Sequence, residues 1–297
     1  MDDYGKVDWI KDSYINSKYS NVERMAKNGN LYYLDETMLV WQFPAEIFKQ
    51  FKKVYVLTYL FEGSFLKPYF EYHSFSFDIA GIHIDENGKY HLGTHTDDKA
   101  NRGKYKELIT ICDDRKINNF KASSLSKTWF SRQSKAELSR LQANIYNYFR
   151  GIMKAQSKDI SWTCPNEYKS ALKGKGYNIV RRLTKEENSL TKREKEALEG
   201  KLSCFIPLNS RATNDFADRS VLAYVFNFYA NPYVKRYFSN KNEKDGTNIS
   251  VNQDYLALSC LIQWVWRSRI RNNEPITIYI PSERMRLLFM KWLNGEM

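Results

Sequence analysis

The last forty-odd residues constrain the fold most. DYLALSCLIQWVWRSRIRNN repeats apolar residues every three or four positions, with Leu258, Leu261, Ile262 and Val265 on one stripe. That spacing predicts a helix, with Asp254 as its N-cap. PITIYIP comes next as a β-branched and aromatic run, predicting a strand, and SERMRLLFMKWLN predicts a second helix capped by Ser282. A helix, a strand and a helix in succession belong to a layered α/β architecture, where each helix buries its stripe against a sheet face.

Similar signals recur upstream. VYVLTYL (54–60) is a continuous apolar run of the kind found in buried strands. ELITICDD, DISWTCP and KLSCFIPLN predict further strands. AGIHID and KYHLGTH flank Asn87-Gly88, a strong hairpin signal, within a β-rich excursion over 78–112. Ser134 is placed to cap a helix through KAELSRLQANIYNYFRGIM, whose apolar face is Leu138, Leu141, Ile145, Tyr148 and Phe149. SVLAYVFNFYANP reads as a helix ended by Pro232. Residues 166–202 are highly charged and read as an exposed helical insertion, with Thr191 and Glu194 spaced as a capping box. Gly151 and the polar AQSKD mark a boundary near residue 155, dividing the chain into 1–155 and 156–297.

Composition narrows the class. With 42% hydrophobic residues in 297, the chain can bury a sizeable core, which excludes global disorder. No apolar run reaches the ~18 residues of a membrane helix, and the N-terminus lacks the pattern of a signal peptide. The expected setting is soluble and cytoplasmic, with no membrane partner. Cys112, Cys164, Cys204 and Cys260 are far apart, which argues against a disulfide framework or a zinc ribbon. His73, His83, His91 and His95 fall in a hairpin-like stretch and read as surface histidines, so no metal site is assigned. The 46 Lys and Arg against 34 Asp and Glu leave a net charge of +12, which suits a nucleic-acid binder if the excess is localised.

Two polar clusters stand out. Gln263, Arg267 and Arg271 recur at every fourth position and share a helical face. They read either as a phosphate-facing row or as a solvated basic face. In IPLNSRATNDFADRS, a strand runs into Asn209, Arg211, Thr213 and Asn214. Polar groups at a strand's carboxyl end are where α/β folds place ligands, and they are equally the residues that cap turns. Lys173, Lys175, Arg181 and Arg182 supply positive charge in the insertion, and Trp264 and Trp266 read as exposed aromatics able to stack bases.

WQFPAEIFKQFKKVYVLTYLFEGS, LSKTWF, WTCP, KGKGY, PLNSRATNDFADRSVLAYVFNFYANPYVKRYF and LIQWVWRSRIRNNEPITIYIPSERMRLLFMKWL resemble DEAD/DEAH-box-like superfamily 2 helicases carried by phages and prophages of low-GC Gram-positive bacteria. The resemblance covers the chain from about residue 30 onward. It implies a RecA-like second lobe over 156–297, preceded by an incomplete α/β first lobe over 1–155. It also implies that Gln263 and Arg267 match the family's Q-x-x-G-R-x-x-R motif, with Arg267 as arginine finger and Arg271 beside it. Trp266 replaces the motif's Gly, and Ile270 stands at its second Arg. NSRATND resembles the preceding coupling motif, and LTY at 57–59 the threonine-containing motif of the first lobe.

No GxxxxGK[ST] occurs; RGKYK (102–106) and GKGYN (174–178) lack both the leading Gly and the Ser or Thr. The expected activity is therefore nucleic-acid binding, DNA rather than RNA, with no ATP hydrolysis by the chain alone. ATP and Mg²⁺ enter only if a separate ATPase half docks. The alternative is a non-enzymatic interaction protein, a phage or defence factor that reuses a helicase lobe to bind another protein.

Overall fold

The computed structural model describes residues 5–10, 18–34, 36–95, 99–210 and 214–297. Along the chain, α1 (Ser20–Lys27) is followed by β1 (Leu31–Leu34), β2 (Met38–Trp41), α2 (Glu46–Lys49) and α3 (Leu66–Tyr72). Next come β3 (Ala80–Ile84), β4 (Tyr90–Thr94), α4 (Lys99–Leu108) and β5 (Ile109–Ile111). Then α5 (Lys127–Ser131) and α6 (Lys135–Tyr146) lead to β6 (Ile160–Thr163), and α7 (Lys169–Leu172) and α8 (Lys192–Leu202) lead to β7 (Val221–Tyr224). The chain continues with α9 (Pro232–Asp245), α10 (Gln253–Val265), β8 (Ile276–Tyr279) and α11 (Glu283–Leu293).

Two compact units result. Residues 1–78 with 230–253 form the first, and 79–229 with 254–297 the second. In the first, β1 and β2 pair antiparallel, and Tyr32, Leu34, Tyr72, Tyr237, Phe238 and Ile249 form a core in which the rings of Tyr72 and Tyr237 stack at 4.9 Å. The second unit is built on a parallel sheet in the order β5-β8-β7-β6. Every residue of β6 and β7 is buried, so both faces are covered. Such burial is why β7 reads as an unbroken apolar run. The chain is thus an α/β protein with a parallel four-stranded sheet and small antiparallel hairpins toward its N-terminus. Residue 155 lies within the second unit, because β5 on its N-terminal side pairs with β8 near the C-terminus.

Local signals behave as the chemistry expects. The β3–β4 hairpin turns at Asn87-Gly88, with Gly88 at φ 75°, a left-handed value that glycine adopts without penalty. Ser134 and Ser282 cap α6 and α11, and Thr191 and Glu194 complete a capping box on α8. Other expectations are corrected. VLAY is a strand, not part of a helix, and Pro232 opens α9 instead of closing one; Asn231 caps it by accepting from the Tyr233 N–H. Proline suits the first helical turn because its missing N–H would be unpaired there in any case. KLSCFIPLN forms isolated bridges instead of a full strand: Leu202–Cys204 pair antiparallel with 178–180, and Cys204–Ile206 run alongside Trp162 of β6. Residues 54–60 form no strand at all and lie mostly in water. Asp254 sits inside the first turn of α10, not at its cap, and the helix ends at Val265; Arg269–Asn272 is a separate 3-10 turn.

Trp264 is also corrected. It is 1% exposed, and its indole N–H donates to the Ile206 carbonyl at 3.2 Å while its ring meets that of Tyr224 edge-on. It is a core residue and not a stacking platform. Trp264→Ala should cost about 3–5 kcal/mol, from the lost buried volume, with the Ile206 carbonyl left unpaired in addition. A denaturant melt checks this, and an unchanged midpoint would return Trp264 to the surface.

Candidate nucleic-acid interface

Charge is strongly segregated along the sequence. The first unit holds 13 Lys and Arg and 13 Asp and Glu, so the second holds 33 and 21, and with them the entire +12. Within the second unit, residues 115–185 carry 16 Lys and Arg against three acids, Glu137, Asp159 and Glu167. This stretch spans α5, α6, β6, α7 and the loop after α7.

That loop has a clear local logic. In Lys173-Gly174-Lys175-Gly176-Tyr177, the tyrosine is wholly buried and its hydroxyl donates to the Leu172 carbonyl at 2.6 Å. Gly174 lies so close to the ring that a Cβ would stand 2.5 Å from it, and Gly176 takes φ 87° against the Arg150 side chain. The Ser157 hydroxyl donates to the Gly176 carbonyl at 2.8 Å, and the Gln142 amide donates to the Lys173 carbonyl at 2.5 Å. The glycines let the backbone turn tightly over its anchor, and the intervening lysines project into solvent. Lys173, Lys175, Arg181 and Arg182 together line one groove of about 510 Å³, which has no acidic residue in its wall. It adjoins a larger groove of about 970 Å³ bounded by α8, where Glu196 and Glu199 offset the cations.

Within this set Arg181 is already paired. Its guanidinium donates to both carboxylate oxygens of Glu187 at 2.7 Å, and the Thr184 backbone N–H donates to the same carboxylate. Lys173, Lys175 and Arg182 have exposed side chains and no ion pair among the described residues. These three cations stand open to solvent on the wall of the groove.

The second predicted cluster comes together differently. Arg267 donates to the carbonyls of Pro207 and Ser210, and Arg271 donates to the Asn214 side-chain oxygen at 2.5 Å. Gln263 is separate and donates to the Ser259 hydroxyl of its own helix at 2.9 Å. Asn209 is exposed; Arg211 and Thr213 lie outside the described residues. Burial of the half-exposed Arg267 guanidinium lowers its pKa, opposed by Tyr224 and Cys260. Arg269 donates its backbone N–H to the Arg219 carbonyl just ahead of β7, so this helix end lies toward the sheet's amino-terminal edge. Ligands of open α/β sheets bind beyond the opposite, carboxyl edge. Trp266 is half-buried against Tyr105 and Trp292.

At the carboxyl edge lies a polar cluster that sequence patterns did not single out. Arg284, in the first turn of α11, donates to the Asn227 side-chain oxygen at 3.1 Å, the Phe228 carbonyl at 2.8 Å and Asp254 at 2.6 Å, and lies over the Tyr229 ring. Asn227 is fully buried and donates to the carbonyls of Ala122 and Ser124. An arginine at a helix N-terminus opposes the helix dipole, and that oddity in SERMR was the available signal. These contacts tie the loops after β5, β7 and β8 together.

The cysteines, histidines and Gly-Lys segments lie as follows. Burial pushes the thiols up, Cys260 to about 11 and Cys204 to about 12, away from thiolate reactivity. His83 and His91 stack across the hairpin at 5.8 Å, and among the described residues no three His, Cys, Asp or Glu converge on a metal position. Gly103-Lys104 lies inside α4, and Gly174–Gly176 comes after a helix, so neither stands at the strand-to-helix turn that a phosphate loop requires.

The second unit is an α/β domain built on a parallel sheet whose central strands are buried on both faces. The model of the YonV C-terminal Rossmann-like domain matches residues 103–293, and the chain belongs to that family. Over 283 residues, 94% of its length, it is 37% identical to the SPbeta prophage-derived uncharacterized protein YonV of Bacillus subtilis (strain 168). The match covers 61% of that relative, so the chain spans about three fifths of the length of the curated protein it resembles. No solved structure matches it.

The Arg181–Glu187 clasp gives a pH signature. Hydrogen bonds from Arg181, then from the Thr184 backbone, hold the Glu187 carboxyl down at about 2. A carboxylate depressed on folding stabilises the loop above its unfolded pKa, and that contribution is lost as pH falls from about 4.5 toward 2. A carbon-detected titration of Glu187 should find its midpoint near the lower end of that window; a midpoint near 4.5 would show that the clasp does not form. Arg267→Ala should lower stability by about 1.5–3 kcal/mol by removing charged donors to two loop carbonyls, again read by denaturant melting.

Proposed function

We propose that the chain binds nucleic acid, DNA in the first instance, through the basic groove of Lys173, Lys175 and Arg182 and the cationic surface of residues 115–185. The observation that carries this reading is the segregation of charge: the first unit is neutral, and a stretch of 71 residues holds 16 cations and three acids. A merely solvated protein has no need to concentrate cations in this way. Clustering raises the local potential and gives phosphates a place to displace counterions.

The finer reading is a helicase-derived protein, with the second unit in the role of a RecA-like lobe. It is supported by the parallel sheet, by the sequence resemblance of its NSRATND and QWVWR segments, and by the prophage origin of the B. subtilis relative. On this reading the chain offers no phosphate cradle of its own, and any ATP chemistry, with its Mg²⁺, depends on a separate ATPase half.

Salt dependence tests the binding. For a duplex, the slope of log K against log salt is about −0.9 per phosphate neutralised. The triple variant Lys173→Ala, Lys175→Ala, Arg182→Ala should flatten the slope by about 3 while leaving the melting temperature nearly unchanged, because these side chains are exposed and make no ion pair among the described residues. Glu187→Gln, which frees Arg181, should steepen it by about 1. Undetectable binding of the unaltered chain to duplex and single-stranded DNA at low salt, or a slope unaffected by the triple variant, would reject this interface.

A further inference from the structure

Residues 54–58, Val-Tyr-Val-Leu-Thr, have the composition of a strand without the structure of one. No backbone N–H or C=O of residues 52–58 takes a hydrogen bond among the described residues. The side chains stand in water: Leu57 is 83% exposed and Tyr55 61%. At strand periodicity Val54, Val56 and Thr58 share one face, and Tyr55 and Leu57 the other. Both faces are therefore largely apolar. A strand with one wet face alternates apolar and polar residues; one apolar on both sides belongs between two layers, in the interior of a sheet covered by helices. A helix lying in a groove, or a flat contact, would cover only one of these faces and leave the backbone unpaired.

We propose that residues 54–58 are an interior strand of a sheet completed by an α/β domain lying outside residues 1–297. The B. subtilis relative gives the occupant a concrete form. About two fifths of its length lies beyond the match, enough for a domain of ordinary size. The proposal is independent of nucleic-acid binding, and its test uses none.

Hydrogen exchange followed by mass spectrometry reads the pairing directly. In the purified chain alone, the amides of 54–58 exchange at the rate of an unstructured peptide. When the chain is co-expressed and purified with the unmatched region of the B. subtilis relative, they slow at least a hundredfold. In the intact relative, which carries both parts, the segment aligned with 54–58 is slow as well. Val56→Pro, which removes one ladder N–H, and Leu57→Asp, which charges one face, each abolish co-purification without lowering the melting temperature of the chain alone. Three results would overturn the proposal. One is slow exchange in the chain alone, whether from internal pairing or from a homodimer, which light scattering identifies. Another is fast exchange at the aligned segment of the intact relative. The third is a complex that forms with 54–58 still unprotected.

Discussion

The second unit depends on one requirement: a parallel sheet must be covered on both faces. Parallel neighbours cannot be joined by a tight turn, so each strand is followed by a long connection that packs helices over the sheet. β6 and β7 are buried at every position, and the layers over them are dense with aromatic rings. Tyr148 stacks on Tyr279 at 5.1 Å, and Trp264 meets Tyr224. The path of the chain beyond each strand is then set by loop chemistry. Asn227 and Arg284 knit the carboxyl-edge loops, and Arg219, buried near the amino edge, donates to the carbonyls of Ser157 and Lys158. These polar residues satisfy backbone groups that connections around a buried sheet would otherwise leave unpaired.

The same requirement explains where charge can collect. Helix α10 buries most of its length and carries no Lys or Arg, whereas α11 places Arg284, Arg286 and Lys291 between its buried positions. The connection from β5 to β6 and the loop after α7 are largely exposed at their lysines and arginines, and there the cations accumulate in sequence. Tyr177 makes this possible at the groove. A fully buried ring fixes a glycine turn, and the turn holds two lysines outward without their having to pack. Stability and display are assigned to different residues of the same five-residue stretch.

The features legible in the sequence were those whose chemistry acts locally. Asn87-Gly88, the serine caps at 134 and 282, and the Thr191–Glu194 box all depend on residues within four positions of one another, and all appear in the structure. In DISWTCP the buried Ser161 and Thr163 alternate with Ile160 and Trp162, while the parallel strand of PITIYIP was legible because burial on both faces leaves a β-branched and aromatic run. The same property hid β7. VLAYVF has no polar residue to reveal a period of two or of 3.6, and the proline downstream of it fits a helix start as well as an end. Of the candidate site, the basic residues of 173–182 could be read as a set because they are close in sequence. The Arg267–Ser210 and Arg284–Asn227 contacts join segments 57 residues apart, and no short-range pattern encodes them.

The face shared by Gln263, Arg267 and Arg271 shows how far spacing can mislead. Equal intervals of four define a common face only while the helix lasts, and α10 stops at Val265. Beyond it the chain turns, so Arg267 and Arg271 reach separate points on the 207–214 segment while Gln263 stays with Ser259. Both arginines act as donors to that segment. Topology gives the reason: α10 returns the chain from the carboxyl edge toward the amino edge, where β8 must begin. The backbone after α10 therefore heads for the amino edge, while the Arg267 guanidinium is held by the Pro207 and Ser210 carbonyls, so one short segment both turns the chain and ties down a loop.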